Sequence, residues 1–221
     1  MKEIFYDWYG YNSEIFHILN HMGNIGILPE TLRCLSFFFN IENFAVYYFI
    51  LCLVSFCRMR TRSAAEVSKP MDNRSFCITY NRLVFVGICY AVFGLSYAAL
   101  KFSINMPRPF CSASDFQTIL DVGHERCMSS FPSSHSGLAL MVTILAWEYL
   151  SKLLRIVAII LVTLIAFSRI ALGMHYPADI VYSYLIVLIV LAISYVVFKL
   201  FENNIIKYVG RKLEQLCRPR A

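Results

Sequence analysis

The sequence predicts an all-α integral membrane protein, a helix bundle with five transmembrane helices and a sixth as the alternative. Of its 221 residues, 58% are hydrophobic and only 15% are charged. The mean hydropathy of +0.59 is well above that of an average soluble domain. The basic residues are also concentrated in a few segments between apolar stretches, as in membrane proteins of fixed orientation.

The N-terminal segment, residues 1–40, mixes aromatic with charged side chains and contains no apolar run of spanning length. We interpret it as an interfacial amphipathic segment, and the alternative sixth span would lie here. A cleaved signal peptide is not predicted, because no basic region is followed by a short apolar stretch and a small-residue cleavage site.

Five apolar stretches follow. Residues 83–100 and 180–198 contain 18 and 19 residues without a charge, and each can cross a hydrocarbon core of roughly 30 Å as a helix. The other three are shorter or carry a charged residue, which a helix bundle can turn towards protein or water. They are residues 44–57, which could extend back past Glu42, residues 136–150 with Glu148, and residues 156–171 with Arg169.

Lysine and arginine set the predicted orientation. They concentrate in residues 58–82, in the turn 151–155 and in the tail 200–221 with Lys199, so these regions should face the cytoplasm. The net charge of +6 is then mostly a topology signal, and no nucleic-acid partner is predicted. We predict one membrane-embedded domain over residues 1–221, without an obligatory protein partner.

The connections 101–132 and 169–177 then face outwards. Cys111 and Cys127 share the first of them, and the sequence leaves open whether they form a disulfide. No pair of cysteine or histidine residues has convincing zinc-ligand spacing.

Three polar clusters lie at this outward face. The first is KFSINMPRP, in which Lys101 and Arg108 are close together although an outward face needs no positive charge for topology. The second is FPSSHSG, where Ser133 resembles a helix N-cap. A helix start also makes an anion site, because free N–H groups and the positive helix end converge there. His135 in that first turn has no capping role.

The third cluster is SRIALGMHYPAD. Arg169 suits the last turn of one helix and Asp179 the first turn of the next, as the helix dipole favours. His175 has no such explanation. If the second helix begins near Pro177, the Asp179 carboxylate can accept a hydrogen bond from one ring nitrogen of His175 and leave the other nitrogen as a nucleophile.

The three clusters place cations, histidines, a carboxylate and serines beside the apolar membrane. This combination suits phosphoryl transfer, in which cations and helix-end amides hold the phosphate oxygens. No cluster of carboxylates is present, which argues against a metal-dependent version. We therefore expect neither a metal nor another cofactor.

The three clusters resemble the signature of the type 2 phosphatidic acid phosphatase superfamily, written K-x6-RP, PSGH and SR-x5-H-x3-D. Every internal spacing is kept, and one position departs from the pattern, because Ser134 stands where the family commonly has glycine. The matching residues are Lys101, Arg108, Pro109, Pro132, Ser133, His135, Ser168, Arg169, His175 and Asp179.

The resemblance implies that His175 attacks phosphorus to form a phosphohistidine and that Asp179 orients it. It implies that His135 protonates the leaving oxygen and later activates water. The implied phosphate ligands, together with main-chain N–H groups of the helix start, are Lys101, Arg108, Ser133 and Arg169, and the hydroxyl of Ser134 is a further candidate.

The expected activity is that of a metal-independent membrane lipid phosphatase acting on a phosphate monoester or diphosphate. The chain is similar in size to bacterial members of the family. This similarity implies a protein of the bacterial inner membrane with its active site facing the periplasm or exterior. Candidate substrates are undecaprenyl diphosphate, phosphatidylglycerol phosphate, phosphatidate and lipid A phosphates, and the sequence does not select one. The alternatives are a lipid-to-lipid phosphotransferase, a haloperoxidase and a non-enzymatic anion transporter.

Overall fold

A computed structural model describes residues 2–23, 25–65, 73–112 and 126–217, and within these ranges the chain is almost entirely helical, with no β-strand. Short 3-10 turns at Trp8–Gly10 and Trp147–Tyr149 and a π-helix at Glu202–Ile206 complete the helical elements. The α-helices are α1 Lys2–Phe5, α2 Tyr11–Gly23, α3 Leu28–Phe38, α4 Ile41–Ala65, α5 Asn73–Ile104, α6 Pro109–Ser112, α7 Ser134–Ala146, α8 Lys152–Ala171, α9 Pro177–Phe201 and α10 Lys207–Cys217.

Four helical segments in the described part of the chain are long and apolar enough to cross a membrane: Ile41–Arg58, Phe76–Ser112, Lys152–Ala171 and Pro177–Gln215. They confirm the all-α membrane fold and contain four of the five predicted spans. None begins before Ile41, so the described residues do not contain the alternative sixth span.

The remaining predicted span, residues 136–150, is helical over residues 136–149 but shorter than the helical segments that contain the other four. It consists of α7, with 13 residues, and the 3-10 turn Trp147–Tyr149. Together they cover about 25 Å, less than the roughly 30 Å of a hydrocarbon core. Residues 66–72 and 218–221 of the predicted cytoplasmic segments lie outside the described residues.

The chain divides into two compact units. The first comprises Met1–Asn43 and Phe93–Ile189, and it contains every sequence-predicted site residue. The second comprises Phe44–Val92 and Val190–Ala221. Within the second unit, the ring of Phe85 packs edge-on against that of Phe198, with centroids 5.6 Å apart.

In the first unit, the N-terminal helices α2 and α3 lie against α8. The Asn20 side chain donates to the backbone oxygen of Ala171 at 2.8 Å, and Asn12 accepts the Ala178 N–H at 2.9 Å. Both asparagines are buried, and a buried amide without such partners would cost stability. The predicted interfacial segment therefore holds the end of α8 and the start of α9, which the sequence did not indicate.

Gly137 lets α7 approach two neighbouring helices. The Tyr97 hydroxyl of α5 lies 2.8 Å from both the backbone oxygen and the hydroxyl of Ser183 on α9. A Cβ at position 137 would overlap the Tyr97 hydroxyl and lie 2.6 Å from Ser183 Oγ. Only glycine fits this crossing without a shift.

Cys111 and Cys127 form a disulfide, with their Cα atoms 5.7 Å apart. The sequence alone did not decide whether this disulfide forms. It links the two ends of the connection that the sequence predicts to face outwards, of which residues 113–125 lie outside the described part of the chain. The free cysteines among the described residues are Cys34, Cys52, Cys57, Cys77 and Cys89.

Candidate active site

The ends of α5 and α8 bring cations to the site. Lys101 lies in the last turn of α5, which ends where Asn105 adopts φ +48°. Arg169 lies in the last turn of α8, and Gly173, with φ +67°, lets the chain leave that helix. The N–H groups of Met174 and His175 then both donate to the Arg169 carbonyl. This turn holds the His175 backbone next to that of Arg169.

Ser129 bridges the first two cations. The Lys101 Nζ atom donates to the Ser129 backbone oxygen at 3.1 Å, and Arg108 Nη2 donates to Ser129 Oγ at 3.2 Å. The Arg108 N–H donates to the Cys127 carbonyl at 2.8 Å, so the disulfide-bonded connection also holds the Arg108 backbone. Lys101 and Arg108, which are seven residues apart in sequence, thus donate hydrogen bonds to the same serine.

Arg169 is buried and reaches the N-terminal segment. Its Nη1 atom donates to Ser36 Oγ of α3 at 2.7 Å, and Ser36 is itself buried. A charge-assisted hydrogen bond of this length fixes the guanidinium more firmly than a neutral pair would. Ser36 had no sequence signal that linked it to the site.

His175 and Asp179 are adjacent and almost completely enclosed, with exposed fractions of 1% and 0%. The Nδ1 atom of His175 lies 3.5 Å from Asp179 Oδ2. Within the described residues Nδ1 makes no hydrogen bond, so the predicted hydrogen bond is not formed and the two side chains are only in close contact in this structure. Of the two ring nitrogens, Nδ1 is the one that faces the carboxylate.

The Asp179 carboxylate accepts hydrogen bonds at both oxygens. Its Oδ1 atom accepts from the Tyr6 hydroxyl at 2.7 Å. Its Oδ2 atom accepts from Ser130 Oγ at 2.5 Å and from the Tyr176 N–H at 2.9 Å. The last bond also caps the start of α9, as a carboxylate in the first turn of a helix commonly does. These partners satisfy the hydrogen-bonding capacity of a buried carboxylate.

Ser133 occupies the N-cap position of α7, as predicted, with φ −74° and ψ 102°. Its side chain does not make the capping bond, which corrects the sequence interpretation. The hydroxyl lies 3.1 Å from Ser136 Oγ, and the Ser133 carbonyl accepts from Ser183 Oγ at 2.8 Å. The N–H groups of the first helical turn have no partners within the helix and suit an anion.

Ser134 is the first residue of α7 and is not among the described residues with positive φ. A Cβ therefore causes no backbone strain at the position where the family signature has glycine. His135 follows it in the same turn and is half-buried. The serine is compatible with the helix start.

The two histidines share one electrostatic environment. Burial lowers the pKa of His135 well below its usual value, and the charges of Arg169, Lys101 and Arg108 lower it further. Burial and the same three cations lower the pKa of His175. Both rings are therefore neutral near pH 7, and a bound anion would counteract the cations.

A cavity of about 550 Å³ lies beside Lys101. Its walls combine apolar side chains with the cations Lys101 and Arg126, and it is lined by Ala98, Lys101, Phe102, Asn105, Arg126, Cys127, Met128 and Ser129. Such a lining suits a ligand with an anionic and an apolar part. Among the described residues, no group of three or more His, Cys, Asp or Glu side chains is placed to hold a metal ion.

All eight sequence-predicted site residues thus lie in one compact unit. The sequence interpretation missed Tyr6, Ser36, Ser129 and Ser130. Ser129 and Ser130 directly precede FPSSHSG, so their position in the sequence could have indicated that they belong to the site. Tyr6 and Ser36 lie far from the three clusters in sequence, and only the folded structure brings them to the site.

Comparison with known proteins gives one family and two similar structures. A model of the PAP2 superfamily matches residues 82–203, more than half of the chain. The crystal structure of Aquifex aeolicus LpxE is similar, with a TM-score of 0.62 at 17% identity over 83% of this chain and 94% of that chain. This similarity concerns the fold alone.

A second crystal structure, that of the first transmembrane PAP2 type phosphatidylglycerolphosphate phosphatase from Bacillus subtilis, has 19% identity over 88% of this chain and 96% of that chain. Its TM-score is 0.41. No curated protein matches the chain significantly.

Proposed function

Because this chain belongs to the PAP2 superfamily, we propose that it is an integral membrane phosphatase that releases phosphate from a lipid phosphate monoester or diphosphate. One observation carries the proposal. Lys101 and Arg108 bond to Ser129, while Asp179 bonds to the next residue, Ser130. Two consecutive residues thus join the phosphate-binding cations to the partner of the nucleophile.

His175 is the proposed nucleophile. Its Nε2 atom attacks phosphorus, an N–P bond forms, and the P–O bond to the lipid oxygen breaks. The lowered pKa of His175 keeps the ring neutral, and so able to attack, before substrate binds. Asp179 Oδ2, 3.5 Å from Nδ1, stabilises the positive charge that develops on the ring.

His135 is the proposed general acid and base. It gives a proton to the leaving oxygen, then takes one from the water that hydrolyses the phosphohistidine. Its lowered pKa is the expected state of the empty site, because the cations that depress it are those that would bind phosphate. Bound phosphate offsets their charge, so His135 can gain the proton that it delivers.

Lys101, Arg108 and Arg169 are the proposed ligands of the phosphate oxygens, together with the first N–H groups of α7 and the hydroxyls of Ser133 and Ser134. Preorganised donors stabilise charge as it redistributes in the transition state. Arg108 and Arg169 are already held by Ser129 and Ser36, so little reorganisation is needed. The proposed reaction requires no metal.

The site is proposed to face the periplasm or exterior of a bacterial inner membrane. Supporting this placement, the Cys111–Cys127 disulfide lies in the connection that carries Arg108, and disulfides persist in oxidising compartments. A lipid phosphate would bind at the headgroup boundary while its hydrocarbon chain stays in the bilayer.

The test is a panel of purified lipid phosphates: undecaprenyl diphosphate, phosphatidylglycerol phosphate, phosphatidate and a lipid A phosphate. Released phosphate is measured in detergent with and without a chelator. Release without an added lipid acceptor supports hydrolysis, whereas release or transfer only with an acceptor identifies a phosphotransferase. No turnover of any substrate by folded protein would contradict the proposal.

A further inference from the structure

We infer that the Tyr6 hydroxyl is a positioning group for the Asp179–His175 pair, an inference that rests on the proposed function. Tyr6 lies in the N-terminal segment, well before residues 82–203 that the family model matches. The chain therefore completes the shared site with a side chain from outside the shared region.

The two carboxylate oxygens of Asp179 contact different groups. Oδ2 faces His175 Nδ1 at 3.5 Å and accepts from Ser130 and the Tyr176 N–H. Oδ1 accepts from the Tyr6 hydroxyl at 2.7 Å. A carboxylate can rotate about its Cβ–Cγ bond, and the Tyr6 bond to the far oxygen fixes the plane in which Oδ2 faces the histidine.

The Tyr6 ring is itself held in place. It packs edge-on against Phe131, with centroids 6.3 Å apart, and against Tyr176, at 6.5 Å. Burial and the nearby Asp179 raise the pKa of the Tyr6 hydroxyl far above its usual value. The group therefore stays protonated and remains a hydrogen-bond donor near neutral pH.

A second tyrosine anchors the same segment without touching the carboxylate. The Tyr182 hydroxyl of α9 donates to the backbone oxygen of Phe5. Removing either hydroxyl deletes one bond between the N-terminal segment and the rest of the first unit. Only removal of the Tyr6 hydroxyl leaves Asp179 Oδ1 without this donor. Comparing the two variants therefore separates positioning of the Asp179 carboxylate from anchoring of the N-terminal segment.

The experiment compares Tyr6→Phe with Tyr182→Phe in the full-length protein. Phenylalanine keeps each ring and removes only the hydroxyl. We measure kcat and KM for lipid phosphate hydrolysis and thermal unfolding in the same detergent. Tyr6→Phe should lower kcat about 10-fold and leave KM within about 2-fold. Tyr182→Phe should keep kcat within about 2-fold of the wild-type value.

The inference is overturned if the kcat of Tyr6→Phe falls no more than that of Tyr182→Phe, or if the loss is in KM. A lower unfolding temperature shared by both variants would not explain a kcat loss in one alone. If the wild-type protein hydrolyses no lipid phosphate, the proposed function itself fails. An active wild-type enzyme with an equally active Tyr6→Phe variant contradicts only the role of Tyr6.

Discussion

His175 Nδ1 lies 3.5 Å from Asp179 Oδ2, with both side chains buried at the start of α9. The carboxylate accepts three hydrogen bonds from other groups. Asp179 is therefore fixed by its surroundings before the histidine acquires charge.

Asp179→Asn should lower kcat on the order of 10³-fold, because an amide cannot stabilise the imidazolium that forms on His175. The fold should persist, since the asparagine oxygen can still accept the Tyr176 N–H that caps α9. Steady-state kinetics and thermal unfolding check this. Activity within about 10-fold of wild type would show that the carboxylate charge is dispensable.

Ser36→Ala should weaken binding of the lipid phosphate. The substitution removes the 2.7 Å bond that holds Arg169 Nη1, so the guanidinium is less well oriented towards phosphate. We expect KM to rise about 10-fold, the scale of one hydrogen bond to a charged group. The matched control is Thr31→Ala on the same helix, where an exposed hydroxyl donates to the Ile27 carbonyl. Equal KM values in the two variants would refute this role of Ser36.

Anion binding should be coupled to proton uptake. Burial and the charges of Arg169, Lys101 and Arg108 lower the pKa of His135. A bound dianion offsets those charges, raises the pKa and draws a proton onto the site. Sulfate carries no titrating proton of its own near neutrality, so its inhibition constant should decrease as pH falls from about 8 to about 6.

Sulfate inhibition is measured across this pH range with the wild type and with His135→Asn. The variant should show a weaker pH dependence, because only His175 remains to take up a proton. An inhibition constant for the wild type that is independent of pH would contradict the coupling.

Gly137→Ala should destabilise the protein by about 1–3 kcal/mol, the usual cost of overpacking. The added Cβ would overlap the Tyr97 hydroxyl at the crossing of α5, α7 and α9. Gly94→Ala is the control, since its Cβ would meet only Ile41 Cδ1 at 3.9 Å. Alanine in that open helical position should be neutral or stabilising. Equal unfolding free energies for both variants would show that the crossing tolerates a methyl group.

The sequence predicted the helical class, five spans, of which four lie in long apolar helices, and the three polar clusters, because apolar run length and fixed motif spacing are local signals. Residues 136–150 fall on α7 and the 3-10 turn Trp147–Tyr149, which together are shorter than the helical segments that contain the other four predicted spans. The sequence did not foresee Tyr6 or Ser36, since neither lies near a motif. Their contribution depends on how α2 and α3 dock on α8, which is a property of tertiary packing.

The most direct test of the central claim is to trap the covalent intermediate. Purified protein is mixed with a ³²P-labelled lipid phosphate, quenched in alkali, in which phosphohistidine survives, and analysed by peptide mass spectrometry. The wild type and the control His21→Ala, at an exposed position, should carry phosphate on His175, and His175→Ala should carry none. Phosphate release without label on His175, or equal labelling of His175→Ala, would contradict the account.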